Sequence, residues 1–201
     1  MPGWSFEHIA AVQGHSAICG CDEAGAGPLA GRVYAAAVIL PVDLELPHLD
    51  DSKKVSEKRR EMLFDQIKEL AAAWAVAWVE PKEIDEIDIL NSRIKAMQSA
   101  IDALALKADY ALIDGNRDHG SKCSISTDHK TIVKGDSLST SIAAASVLAK
   151  VSRDRYMCEM AALYPQYEFE RHKGYPTKRH YELLREFGPC PIHRRTFLKN
   201  L

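Results

Sequence analysis

The sequence predicts an α/β fold in which a mixed sheet is covered by helices. Strand-length apolar runs dominate the first third, and apolar runs alternate with helical repeats after it. The composition, 46% hydrophobic and 27% charged over 201 residues, is that of a globular chain. At roughly 150 residues per domain the length allows one large domain or two small ones. No repeat, low-complexity stretch or linker divides it, so a single domain over 1–201 is expected.

Ala17–Leu40 reads as two strands around a glycine turn, with Val33–Leu40 continuously apolar. Ser56 is a plausible N-cap for a helix carrying Met62, Phe64, Ile67 and Leu70. Trp74–Val79 reads as a strand. Pro81 suits the first position of the next helix, and Ile94, Met97, Ile101 and Leu104 continue at helical steps. Tyr110–Asp114 and Thr131–Lys134 are short strands, each ending at a glycine. Ser137–Leu163 is a long helix with small residues at its start, which allow close approach to a sheet. Pro165 ends it. A last helix, Lys178–Glu186, stops at Gly188.

Charge is distributed unevenly. Arg171–Leu201 carries eight Lys and Arg against two acids, while the rest of the chain is acidic. An acidic body with a basic tail suits a protein that holds cations in one place and phosphates in another; a solvated basic helix is the plainer reading. Five scattered cysteines (19, 21, 123, 158 and 190) form neither a disulfide framework nor zinc spacing, and buried free thiols are expected. Met1–Ile18 has no basic flank or long apolar run, and no stretch nears the ~20 apolar residues of a membrane helix. The cytoplasm is the expected location.

Three acids fall where strands end: Asp22, Asp114 and Asp136. Buried charges are paired or bind metal, so acids at the ends of neighbouring strands point to a hard divalent cation, Mg²⁺ or Mn²⁺. Asp136 could instead cap its helix, and Asp114 could belong to a turn. Glu23 adjoins Asp22, and adjacent strand residues face opposite ways. Both can serve one site only if the strand ends or kinks there, which Gly25 and Gly27 would permit. The turn Gly25-Ala26-Gly27 could also bring backbone amides to a phosphate, although the bare pattern is weak and a simple tight turn is the plainer reading. Basic residues cluster at 51–54, 150–155 and 171–180. Tyr175, in the last cluster, is either a platform for a sugar or base or a core tyrosine.

These stretches together resemble ribonuclease HII, the bacterial type 2 ribonuclease H. The resemblance is carried by Cys21–Gly31, Asp51–Lys54, Leu112–Asn116, Lys134–Ser137, Ala144–Asp154, His172–Thr177 and His193–Phe197, in family order across nearly the whole chain. It implies a ribonuclease H-like fold, with a mixed five-stranded sheet flanked by helices and a helical C-terminal part. It implies that 165–201 is a basic substrate-binding segment. The implied activity is hydrolysis of RNA in RNA–DNA hybrids and incision of duplex DNA on the 5′ side of embedded ribonucleotides, leaving a 3′-hydroxyl and a 5′-phosphate. The implied catalytic and metal-binding acids are Asp22, Glu23, Asp114 and Asp136. The junction-reading tyrosine maps onto Tyr175, the glycine turn onto Gly25, Ala26 and Gly27, and Lys53 and Lys54 onto a backbone-contacting stretch. The family's usual turn is Gly-Arg-Gly; Ala26 stands where that arginine would supply a cation. Arg32 is a weak candidate to replace it.

Phosphodiester hydrolysis needs an activated water and a stabilised leaving oxygen. Two divalent ions ~3.5–4 Å apart serve both, held by converging carboxylates. Glu23 could contribute its side chain or its carbonyl. A monomer is expected. The rival readings are a DNA resolvase of the same fold and a non-catalytic nucleic-acid-binding module. Carboxylates repel phosphate unless a metal stands between them, which argues against the second.

Overall fold

The computed structural model describes residues 2–50, 52 and 55–199. It opens with a helix the sequence pattern did not reveal, α1 (Ser5–Val12), whose Glu7 is buried. The Glu7 carboxylate accepts bonds from both the amide and the hydroxyl of Ser141 and from the Ser139 hydroxyl. β1 (Ile18–Ala24) and β2 (Val33–Ile39) follow, then α2 (Glu57–Leu70) and β3 (Ala73–Val79). The expected 81–104 helical region is two helices, α3 (Pro81–Ile87) and α4 (Ile89–Asp102). Asp88 separates them: its φ of +69° breaks the helix, and its carboxylate caps α4 at the Asn91 amide.

β4 (Tyr110–Asp114) lies as expected, but β5 is His129–Ile132 and stops short of Lys134. Lys134 has φ +59°, a left-handed conformation that ends the strand and starts a 3₁₀ turn, Gly135–Ser137. The long helix, α5 (Thr140–Leu163), therefore begins later than expected, with Ser139 as its cap. The short α6 (Phe169–His172) and α7 (Lys178–Phe187) follow, the latter ending at Gly188, and a 3₁₀ turn, Arg195–Leu198, comes after them.

The five strands form one mixed sheet in the order β3-β2-β1-β4-β5. β1 pairs antiparallel with β2 and parallel with β4, which places it at the centre. β2 is buried at all seven positions, which explains its unbroken apolar run. One face packs on α4 through Cys19, Cys21, Ala35, Ala37, Ile94 and Met97. The other packs on α5 through Ala36, Val38 and the small residues of 143–149. The approach is close at Gly20, where a Cβ would lie 2.1 Å from the Ser141 carbonyl carbon.

The basic C-terminal segment is less of an appendage than its composition suggests. Tyr167, Phe169, Leu183, Leu184 and Ile192 form a core with Leu29, Ala30 and Tyr34 of the β1–β2 region, and with Tyr156 and Met157 of α5. Of the free cysteines, 19, 21 and 190 are buried as expected, whereas Cys158 is exposed and Cys123 half-buried.

Candidate active site

β1 and β4 run parallel with Cys21 beside Ile113, so Asp22 and Asp114 follow at the same level on adjacent strands. Asp22 is only 6% exposed. Burial raises its pKa well above the ordinary carboxylate range, and the nearby Glu23 and Asp114 add to the effect. The Ser146 hydroxyl on α5 opposes this, as does the Glu23 amide, which donates to Asp22 Oδ1 at 2.7 Å. Ser146 also bonds Ser52 Oγ at 2.8 Å.

The strand does not kink at Glu23; β1 continues regularly to Ala24. Asp22 therefore faces α5, and Glu23 faces α4, where its Oε1 lies 2.6 Å from Arg93 Nη2. The two carboxylates still act on one another and on Asp114 because all three stand at the same end of the sheet. Burial raises the Glu23 pKa, Arg93 opposes the shift and Asp114 reinforces it. The second oxygen, Glu23 Oε2, is buried with no hydrogen-bond partner.

Asp136 is delivered by the left-handed Lys134. Its amide donates to Asp114 Oδ1 at 3.3 Å, so the 3₁₀ turn folds back over the end of β4. It does not cap the long helix; Ser139 does. Gly135 makes the approach possible, since a Cβ there would fall 2.6 Å from Ile142 Cδ1 and 3.2 Å from Asp114 Oδ1.

The glycine turn follows β1 directly. Gly25 has φ +96°, and a Cβ on it would lie 2.1 Å from Arg153 Nε. Gly27 is exposed, and its nearest neighbour would be the Tyr175 ring, 4.0 Å from a built Cβ. Tyr175 is 40% exposed, which excludes a core tyrosine; its ring lies over the buried Arg153 guanidinium at 5.5 Å. Lys53 and Lys54 lie outside the described residues. Arg32 does not stand in for an arginine at 26. It bonds Glu80 at 2.7 Å and its guanidinium lies within cation–π distance of Trp78 and Tyr156.

The structure thus groups Asp22, Glu23, Asp114 and Asp136, and beside them Gly25, Ala26, Gly27 and Tyr175. It adds Arg93, Ser146, Arg153 and Arg194, which sequence reasoning missed. Arg153 and Arg194 are fully buried; the sequence signal was a basic cluster and a family-like stretch for Arg153 and a family-like stretch alone for Arg194. Two grooves, about 370 Å³ beside Trp4 and about 480 Å³ beside Leu184, contain none of the acids.

The family model for ribonuclease HII matches residues 19–200. The chain belongs to the ribonuclease HII family. Ribonuclease HII of Idiomarina loihiensis is 54% identical over 180 residues, covering 90% of this chain and 94% of that protein. Ribonuclease HII of Endomicrobium trichonymphae is 53% identical, with coverage of 96% and 91%. Among solved structures, the ribonuclease H2 of Pyrococcus horikoshii superposes with a TM-score of 0.73 at 25% identity, covering 90% of this chain and 93% of that one. The Archaeoglobus fulgidus ribonuclease HII, solved in complex with PCNA, gives 0.75 at 26% identity, with coverage of 90% and 94%. The chain is accordingly a ribonuclease H, a metal-dependent endonuclease of a family that acts on RNA–DNA hybrids.

The family is metal-dependent, and the chemistry of the acids at this end of the sheet suits a hard divalent cation. The donors are hard oxygens, Glu23 Oε2 is orphaned, and Asp22 is crowded by like charge. A divalent cation relieves both conditions. Mg²⁺ is commonly held by one or two carboxylates, with phosphate and water completing its shell. Among the described residues, no three His, Cys, Asp or Glu side chains form a ready metal cage.

Proposed function

We propose that this ribonuclease HII incises duplex DNA on the 5′ side of embedded ribonucleotides, as well as cutting continuous RNA–DNA hybrids, by two-metal hydrolysis. The observation that carries the reading is continuity. Asp22, Glu23 and the glycine turn are consecutive at the end of β1, and the turn faces an exposed tyrosine ring. A backbone gripped there lies next to the carboxylates.

Asp22, Asp114 and Asp136 would hold Mg²⁺ or Mn²⁺ through their carboxylates, with Glu23 Oε2 as a further donor. Bound ions would activate water and stabilise the leaving oxygen. Arg93 holds Glu23 Oε1 and leaves Oε2 buried without a hydrogen-bond partner. Ser146 holds Asp22 from the α5 side. The turn and Tyr175 would read the sugar, since a 2′-hydroxyl is what distinguishes RNA from DNA at one position. Arg153, buried behind the turn and beneath Tyr175, adds positive potential toward phosphate.

The test is cleavage of a duplex with one embedded ribonucleotide beside an all-DNA duplex, in Mg²⁺, Mn²⁺ or EDTA. The expected product is a single nick 5′ to the ribonucleotide, lost in EDTA and absent from all-DNA duplex. Comparable cutting of all-DNA duplex would favour a resolvase. Binding without metal-dependent turnover would favour a binding module.

A further inference from the structure

Two hydrogen-bond networks leave one short stretch, Cys190–Arg194, and reach the two surfaces assigned above to the ribose. The first runs through two buried histidines, and its direction follows from its ends. The Tyr175 carbonyl can only accept, so His180 Nδ1, 2.9 Å away, carries the proton. His180 Nε2 is then a lone pair, and His193 Nε2, 3.0 Å from it, must donate. His193 Nδ1 is therefore an acceptor. It faces two donors on Cys190, the amide at 3.0 Å and the thiol at 3.1 Å. The chain closes with every ring nitrogen satisfied and both rings neutral.

The surroundings keep it so. His172 stacks on His180 at 4.2 Å; its Nε2 donates to the Tyr167 carbonyl and its Nδ1 accepts from the Gly174 amide. Tyr167 and Phe169 pack against His193. The charged groups are Arg195 near His193, and Glu168 and Glu170 near His172. Burial pushes His180 down to about 4 and His193 to about 3, and raises the Cys190 thiol so that it keeps its proton.

The second network is Arg194. Its guanidinium donates to the carbonyls of Gly25 (2.7 Å), Ala26 (3.0 Å), Pro28 (2.8 Å), Gly31 (2.9 Å) and Arg32 (3.3 Å). Its amide donates to the Leu29 carbonyl at 2.8 Å, and the Gly31 amide donates to the Ile192 carbonyl at 2.8 Å. A carbonyl held by a guanidinium cannot turn its lone pairs toward an incoming phosphate. The Leu29 amide in turn donates to the Gly174 carbonyl, one residue before Tyr175.

We propose that Cys190–Arg194 sets the gap between the glycine turn and Tyr175, with Arg194 and His193 as positioning residues for the ribonucleotide. Arg194 fixes the turn side and His193, through His180, fixes the tyrosine side. The inference rests on the reading that these two surfaces grip the ribose. Small misplacements of positioned groups can cost large factors in rate, so the effect belongs in kcat more than in KM.

The experiment uses the full chain as wild type, His193→Gln, Arg194→Lys and Tyr175→Ala, with kcat and KM measured on the single-ribonucleotide duplex. Circular dichroism melts identify which variants are folded. Nitrogen-15 NMR of the wild-type histidine rings at pH 6 supplies a readout independent of activity. The expected wild-type signature is protonated Nδ1 on His180, protonated Nε2 on His193 and neutral rings. Folded His193→Gln and Arg194→Lys should each lose kcat by roughly tenfold or more, with KM moving less. Reversed tautomers or charged rings overturn the proposal even if neither variant folds. Unchanged kcat in the folded variants, with Tyr175→Ala impaired, overturns the positioning role and leaves the ribose reading intact. Unchanged kcat in Tyr175→Ala overturns the reading beneath it, and the proposal with it.

Discussion

At the end of β1 three carboxylates crowd together, and one of their oxygens, Glu23 Oε2, is buried without a partner. A few residues further along, five carbonyls of the glycine-turn segment share the guanidinium of Arg194. The acids repel one another in a dry place, and one of their oxygens lacks a partner. The turn is supplied with donors until its backbone has little freedom. The first arrangement costs stability, and under the proposed function a cation from outside would complete it. The second contributes stability and needs only a substrate shaped to it. The difference teaches that binding chemistry resides in incomplete groups, and geometric selection in completed ones.

The sharpest break of that contrast is Asp114→Asn. Turnover at saturating Mg²⁺ should fall by about a hundredfold or more, as when a preorganised electrostatic group is removed. Melting should hold or rise, because Asp22 and Glu23 lose a repelling neighbour. Near-normal turnover would remove Asp114 from the metal set.

On the turn side the sign of the stability change reverses. Gly25→Ala places a methyl 2.1 Å from Arg153 Nε at a φ of +96°. Backbone strain alone costs about 1–3 kcal/mol, and the overlap adds to it. A urea melt should show the loss, and a melt identical to the parent would mean the turn is not held as tightly as its contacts imply.

The histidine pair extends the contrast to pH. His180 and His193 are bases whose folded pKa values, about 4 and about 3, lie below an unfolded value near 6.5. Their contribution to stability is complete above about pH 6.5 and is lost as pH falls toward 4 and below. Near pH 5, unfolding should take up about two protons from this pair. His193→Gln should take up about one fewer, which melts in buffers of different ionisation enthalpy can measure.

The smallest effect is expected at Ala26. Ala26→Arg adds one exposed cation to an intact turn, so binding should tighten only a few-fold, about 0.2–1 kcal/mol, and the gain should fade with salt. Titration of the single-ribonucleotide duplex at two salt concentrations checks it. Arg32 is already committed to Glu80, Trp78 and Tyr156, so its presence should not mask the gain.

Reading along the chain located Asp22 and Asp114, because a charged residue at the end of an apolar strand run has few explanations. It located the turn, because glycines in a strand-to-strand connection signal unusual backbone. It also anticipated the sheet, since continuous apolar runs and helical repeats are local patterns. It did not reveal α1, whose apolar repeat is short, nor the break at Asp88, which depends on one residue's left-handed φ. It required β1 to end or kink for Glu23 to join Asp22; β1 stays straight and ends at Ala24, one residue after Glu23.

What the sequence by itself determined is the set of elements and the acids that end them, because hydrophobic period and strand-end charge are written within a few residues. Which side chains complete or isolate those acids was decided only in three dimensions. Arg93 reaches Glu23 from a helix seventy residues away, and Arg194 reaches Gly25 across 169 positions. Such pairs leave no local periodicity. They exist because the sheet order brings β1 to the centre and the C-terminal core docks on the β1–β2 connection, where burial makes every unpaired polar atom costly.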